Sequence, residues 1–291
     1  MEEFLRKRIV HLLLLFLFCS SIWATHQEYY YGEKFEDIQH GNLADKELKD
    51  YLHRVLDSYH LTCTNSYDQI VSSCKGESDD RTCFRHLAFN YTIARKEMFG
   101  HLHLEQIQAA YYINCVYCQY HLGPDNFSEG PIPGVNIIPN NRFINTEHSW
   151  PQSRFSTTYP QALQKSDLHA LYPTSPGINT TRNNLEFGEV SFVSTNTCPG
   201  TKVGFLDVTH TTRYFEPPDT HKGNVARSIF YFSTRYNLNI SEVEEAFLKK
   251  WHQLDPVDEF ERWRHEEIFK MQKVRNPYID HPWMVELIED F

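Results

Sequence analysis

Apolar residues at Leu48, Leu52, Val55, Leu56 and Tyr59 recur at helical spacing and predict one helix with a single buried face. Downstream, aromatic and β-branched stretches around Tyr91-Thr92-Ile93 and Tyr111-Tyr112-Ile113 read as strands. Residues 121–141 are rich in Gly, Pro and Asn and predict a long loop, and 194–204 an irregular one that a disulfide could pin. The pattern from Asn224 to Tyr236 predicts a helix with Val225, Ile229 and Phe230 facing inward. Ser241 with Glu244 three positions on reads as a capping box opening the next helix. A third late helix runs from Asp258 to Lys273 and is closed by Asn276-Pro277. No internal repeat, low-complexity linker or long charge block interrupts this pattern. The expected fold class is α+β, one domain with helices flanking a small mixed sheet.

The amino terminus departs from this pattern. Arg6-Lys7-Arg8 precede a run, Ile9–Phe18, that is apolar except for His11, and Ala24 supplies a small residue near its end. That is the layout of a secretory signal peptide, expected to span 1–24 with the mature domain at 25–291. The run is too short to span a membrane. The mature chain is then expected to be secreted or periplasmic, with no membrane partner, and a monomer is the favoured state. It would hold Cys63, Cys74, Cys83, Cys115, Cys118 and Cys198, an even count that favours disulfides in an exported chain. Their pairing is open. Cys115-x-x-Cys118 could be a redox pair or half a zinc site, but no second C-x-x-C completes a zinc ribbon, so a structural disulfide is preferred.

Charge narrows the function. The net charge of −10, one unit more negative without residues 1–24, argues against coating a polyanion by bulk electrostatics. A polyanion would have to be met by a local basic site or a metal ion. Three polar, metal-capable clusters then fall within 48 residues of one another: Asn145–Ser153 with Glu147-His148, Lys165–Pro173 with Asp167 and His169, and Gly177–Gly188 with Arg182-Asn183-Asn184. The third reads as a short helix opened by Asn179. Strand, loop, strand, helix can gather a histidine and two oxygen ligands around one hard cation. Neighbouring residues of a flat strand face opposite ways, so Glu147 and His148 should lie at a strand end or kink, which Trp150-Pro151 favours.

The chain resembles the endonuclease I family, secreted or periplasmic nucleases with a ββα-metal (His-Me finger) core. The resemblance rests on Asn145–Ser153, Ser166–Pro173 and Arg182–Val190. It continues through Glu216-Pro217-Pro218, Lys222–Arg227, Phe230-Tyr231, Thr234-Arg235-Tyr236, Asp255–Asp258 and Arg275–Pro282. These blocks cover most of the chain after about residue 85. The resemblance implies His148 as general base and Glu147 and Asn184 as ligands of Mg²⁺, with Mn²⁺ or Ca²⁺ as substitutes. A one-residue slip would make Asn183 the ligand. It also implies a nuclease of DNA, with RNA left open, having little sequence preference and leaving 5′-phosphate ends.

Other residues carry open alternatives. Asp167 and His169, two apart on a strand, would orient His148 or metal waters, or be a satisfied polar pair supporting a turn. Arg182 is a phosphate clamp or a helix surface charge. Arg154 and Arg142 are further clamp candidates, since the family holds the cleaved phosphate with an arginine in some members. Arg227 touches the DNA backbone or is a solvated surface residue. Asn90, Asn126 and Asn239 stand in glycosylation sequons; Asn179 does too but is read as a helix-entry residue. His265-Glu266-Glu267-Ile268-Phe269 lacks the second histidine of a zincin, and no G-x-S-x-G, P-loop or G-x-G-x-x-G occurs. The rival function is an exported nucleic-acid-binding module without catalysis, against which stands the presence of Glu147, His148 and Asn184 together.

Overall fold

In the computed structural model, residues 27–74, 82–195 and 198–291 are described. The expected signal segment and its cleavage point lie outside them. The chain divides into two compact units at Arg85/His86, close to where the family resemblance begins. Among the described residues, helices and small sheets are mixed without a barrel, the α+β class expected.

In the first unit, helices α1 (Phe35–Gln39) and α2 (Asp45–Asp57) precede strands β1 (Tyr59–Cys63), β2 (Ser66–Val71) and β3 (Cys83–Phe84), ordered β2-β1-β3. The predicted apolar face of α2 is buried through Leu48, Tyr51, Leu52, Val55 and Leu56. A Cys74–Cys83 disulfide ties β3 to the segment after β2.

The second unit opens on α3 (Tyr91–Glu97), followed by β4 (Leu104–Ile107), β5 (Ala110–Asn114) and β6 (His121–Leu122) in one antiparallel sheet. The Tyr111–Ile113 strand is as predicted, but Tyr91-Thr92-Ile93 is helical. The Asn90 side chain accepts from the Thr92 N–H at 2.9 Å, and this cap outweighs the β-leaning side chains. Strands β7 (Asn145–His148) and β8 (Leu171–Thr174) pair antiparallel, with Glu147 opposite Tyr172 and His148 opposite Leu171. Between them lies the short helix α4 (Gln161–Lys165), and after them α5 (Pro176–Arg182). Strands β9 (Glu186–Phe187), β10 (Phe192–Thr195), β11 (Lys202–Phe205) and β12 (Arg213–Glu216) form the sheet β10-β11-β12-β9. Part of the loop expected at 194–204 is thus the β10–β11 hairpin, and a Cys118–Cys198 disulfide does pin it.

The carboxy-terminal helices are α6 (Asp219–Tyr236), α7 (Glu242–Leu254), α8 (Glu259–Gln272) and α9 (Pro277–Asp280). Fifteen of the eighteen residues of α6 are buried, so its polar side chains serve as internal struts rather than a wet face. It starts five residues before the predicted Asn224. Gly223 lies inside it, and a glycine is needed there because a Cβ would lie 1.9 Å from the Asp255 carbonyl oxygen. Ser241 caps α7 through the Glu244 N–H as predicted, but the Glu244 carboxylate accepts from the Phe187 N–H and Arg154 rather than closing the box; Asp258, the predicted start of the next helix, caps α8 through the Glu261 N–H. Apolar side chains of α3, β5, β8 and α8 (Ala94, Ile113, Leu171 and Ile268 among them) share one core beneath β7 and β8.

Two local readings are corrected. Asp167 and His169 are not on a strand: Asp167 caps a 3₁₀ turn, Leu168–Ala170, by accepting from the His169 N–H at 3.1 Å. Asn179 does not open α5, which begins after Ser175 at Pro176, a residue preset for a first helical turn.

Candidate active site

His148 is the last residue of β7, and Ser149-Trp150 bend away from it, as the strand-end argument requires. Glu147 and His148 therefore line one polar cavity of about 400 Å³ together with Asn179, Asn183 and Asn184 from the end of α5. Asn179 Nδ2 donates to the Thr146 carbonyl at 2.9 Å and locks α5 against β7, so this sequon asparagine is a tie between elements.

Burial and a backbone acceptor fix the state of His148. Its Nε2 lies 3.1 Å from the Lys165 carbonyl oxygen, which can only accept, so Nε2 carries the proton. Nδ1 is left with its lone pair, 3.4 Å from Gln152 Nε2. Burial pushes the imidazole pKa down to about 4 against the opposing pull of the Lys165 carbonyl, and the nearby Lys165 and Arg182 charges lower it further. The ring is neutral at pH 7, and Tyr91 packs beside it with centroids 5.7 Å apart.

Glu147 is 2% exposed. Its Oε1 accepts from the Tyr117 hydroxyl at 2.9 Å and lies 3.4 Å from Arg182 Nη1. Burial raises its pKa, while Arg182 and the Tyr117 hydroxyl oppose that rise. Among the described residues Oε2 makes no hydrogen bond, and neither does the exposed Asn184 side chain. A carboxylate oxygen and amide oxygens at one cavity are the hard donors that suit Mg²⁺ rather than zinc. The residues present fit a hard divalent cation.

Tyr117 was not singled out from the sequence. It sits inside the Cys115–Cys118 segment, and its carbonyl accepts from Thr201 Oγ1 at 2.5 Å. The Cys118–Cys198 bridge anchors the same turn. Of the Cys115-x-x-Cys118 pair only Cys118 is in a disulfide, with Cys198; Cys115 is a buried free thiol whose sulfur accepts from the N–H groups of Cys118 and Ser175, and Cys63 is also free. Gln152, Tyr91 and the Lys165 carbonyl were likewise unmarked, because nothing local in sequence joins them to His148.

The arginines are mostly committed elsewhere. Arg182 is neither a surface charge nor a free clamp. It is 1% exposed, and its Nη1 and Nη2 donate to the carbonyls of His148 and Ser149 at 3.2 and 2.6 Å. It is a strut that fixes the bend after β7. Arg154 bonds Glu244 Oε2 at 3.2 Å and lies over the Trp150 ring. Arg142 is exposed, pairs with Glu129 and is outside the cavity lining. Arg227 is buried against Glu261 at 2.8 and 2.5 Å, so its expected place at the surface is corrected. Asp167 accepts from Tyr231 and Tyr236 hydroxyls at 2.9 and 2.8 Å, and His169 Nε2 lies 3.2 Å from the Val274 carbonyl oxygen. Neither touches His148; Asp167 is a satisfied polar group that supports the turn. Arg182 itself lines the cavity, and two further cations contact its lining residues: Lys165, with Nζ 4.5 Å from the Tyr91 ring centroid, and Arg95, whose Nε donates to Thr146 Oγ1 at 3.3 Å. His265, Glu266 and Asp280 also lie close enough to share an ion, but Arg275 bonds both carboxylates.

With this geometry established, the chain's family follows: the Endonuclease I family profile matches residues 105–283, more than half of the chain, and the chain belongs to that family. Among its relatives is an extracellular ribonuclease of Bacillus subtilis (strain 168), 32% identical over 166 residues, covering 49% of this chain and 53% of that protein. An Endonuclease-1 of Buchnera aphidicola is 27% identical over 171 residues, covering 57% and 66%. An extracellular deoxyribonuclease of Aeromonas hydrophila is 29% identical over 119 residues, covering 40% and 49%. The chain spans about half the length of the first of these relatives.

Proposed function

We propose that the protein is an exported, metal-dependent endonuclease that hydrolyses phosphodiester bonds of DNA and of RNA with little sequence preference. The observation that carries this reading is the convergence of Glu147, neutral His148 and Asn184 on one polar cavity, with the His148 lone pair left on Nδ1. Nδ1 takes a proton from the attacking water, and the Lys165 carbonyl holds the ring through Nε2–H in both states. Glu147 Oε2 and the Asn184 amide oxygen would hold Mg²⁺, or Mn²⁺ or Ca²⁺ in its place. Such an ion, when bound, stabilises charge on the phosphate and on the departing 3′ oxygen. Attack at phosphorus breaks the bond to the 3′ oxygen and leaves a 5′ phosphate. Tyr117 and Arg182 orient Glu147, and Lys165 and Arg95 meet the backbone charge. Contacts chiefly with phosphate carry little sequence information.

Relatives named ribonuclease and deoxyribonuclease support both substrates, and their extracellular and periplasmic descriptions, with two disulfides here, support export. No helix among the described residues is long and apolar enough to cross a membrane.

The test compares Asn184→Ala with Asn183→Ala in Mg²⁺ titrations of plasmid and RNA cleavage. Asn184→Ala should raise the Mg²⁺ needed for half-maximal rate at least 10-fold while Asn183→Ala changes it little. The reverse order would move the ligand to Asn183. Wild type that binds but never cuts would favour the binding module.

A further inference from the structure

A second cavity of about 340 Å³ lies in the same unit and shares no lining residue with the one around His148. Its inner wall is made of rings. Tyr172 meets His221 edge to face at 4.9 Å, and His103 packs on Tyr172 and on Phe260, each at 5.7 Å. Phe260 and Trp263, three apart on α8, also line it, and both are large apolar side chains left more than 40% exposed. A size of a few hundred cubic ångströms, flat walls and a few directed polar groups are the marks of a small-molecule site.

The polar groups define what fits. Asn114 Oδ1 is buried and accepts no hydrogen bond among the described residues, an unfavourable state that a ligand N–H would relieve. His103 Nε2 accepts from Arg264 Nε at 3.1 Å, so the other ring nitrogen carries the proton and can donate. Burial pushes both histidines down, His221 to about 3, so neither is a cation at neutral pH. Arg264 is consumed by His103 and by the Leu168 and Leu171 carbonyls. Glu105 and Asp258 also line it, with the neutral polar side chains of Gln119, Thr220 and Asn224. The cavity offers an acceptor, a donor and aromatic faces, with acids rather than a free cation beside them. A phosphate is unwelcome there, whereas a planar heterocycle with an amino edge matches each feature.

We propose that this cavity binds a nucleobase bearing an exocyclic amino group, as the free base or nucleoside, stacked against the exposed Phe260 and Trp263 rings and bonded to Asn114. Aromatic stacking and edge recognition are the general means by which proteins hold splayed-out bases. The site is separate from the cleavage chemistry and is read by binding alone.

Calorimetric titration of the whole mature protein with adenosine, guanosine, uridine and ribose 5-phosphate tests it. Adenosine or guanosine should bind one to one, with uridine roughly 10-fold weaker and ribose 5-phosphate silent. Trp263→Ala, at a partly exposed position, should weaken binding roughly 10-fold or more with an unchanged circular dichroism spectrum. Asn114→Ala should erase the preference over uridine, and His148→Ala should leave the affinity unchanged. No heat with either purine nucleoside up to millimolar concentration overturns the proposal. So does binding that ignores both Trp263→Ala and Asn114→Ala. Because cleavage is not the readout, either failure is distinct from failure of the nuclease reading.

Discussion

The Tyr117 hydroxyl and Glu147 Oε1 show how much rests on single buried contacts: at 2.9 Å the phenol holds one oxygen of a buried carboxylate and leaves the other toward the cavity. Hydrogen bonds to charged groups are worth about 1.5–3 kcal/mol. Tyr117→Phe should therefore slow cleavage roughly 10- to 100-fold with the circular dichroism spectrum unchanged; unaltered rates would remove Tyr117 from the account. His221 gives a second prediction at this scale. Unfolded, its ring takes up a proton near pH 6.5; folded, burial delays this to about pH 3. Below pH 6.5 the unfolded chain binds the extra proton, so a neutral buried His221 loses stability as pH falls toward 3. His221→Gln should be less stable than wild type at pH 7.5 through lost ring packing, and the gap should narrow by about 2 kcal/mol at pH 5. Denaturant midpoints at the two pH values check this; a constant gap would contradict it. That Glu147, His148 and Asn184 are candidates was legible because the Glu-His and Arg-x-Asn patterns are local. Their partners were not, since Tyr117 and Lys165 meet them only across 30 and 17 positions of chain.

At the scale of elements, the site is a junction. Strand β7 ends where Arg182 from α5 captures the carbonyl of its last residue, His148, and that of Ser149 beyond it, and Asn179 fastens the same helix one turn earlier. Sequence patterning predicted the helices well wherever an apolar face or a cap was local, as at Leu48–Leu56, Ser241 and Asp258. It failed where tertiary contacts override propensity. The helix predicted from Asn224 begins at Asp219 and includes Gly223, where the Asp255 carbonyl leaves no room for a side chain, and Arg227 reads as a surface charge but is buried against Glu261. A strut and a clamp differ in what their loss does. Removing one partner of a buried ion pair costs about 3–5 kcal/mol. Arg182→Ala should lower Tm by roughly 10 °C, followed by circular dichroism on heating. An unchanged Tm with a raised KM would return Arg182 to the role of phosphate clamp.

For the whole molecule, acidity and affinity for nucleic acid have to coexist. With a net charge of −10, long-range attraction is absent, and the binding charge has to be local. On the proposed reading, Lys165 and Arg95 beside Tyr91 would provide it. Each contributes about one released counterion, so Lys165→Ala should reduce the slope of log affinity against log salt by about 0.9 on duplex DNA. The fold class was legible from the mixture of periodicities. The division at Arg85/His86 was not, since no linker composition marks it. The most direct test of the central claim is nicking of supercoiled plasmid by the purified mature protein, wild type and His148→Ala side by side, in Mg²⁺ and in EDTA. Wild type should nick in Mg²⁺ and not in EDTA, and His148→Ala should be slower by about 10²- to 10⁴-fold with its circular dichroism spectrum intact. Cleavage that persists undiminished in His148→Ala, or that proceeds in EDTA, would contradict the central claim.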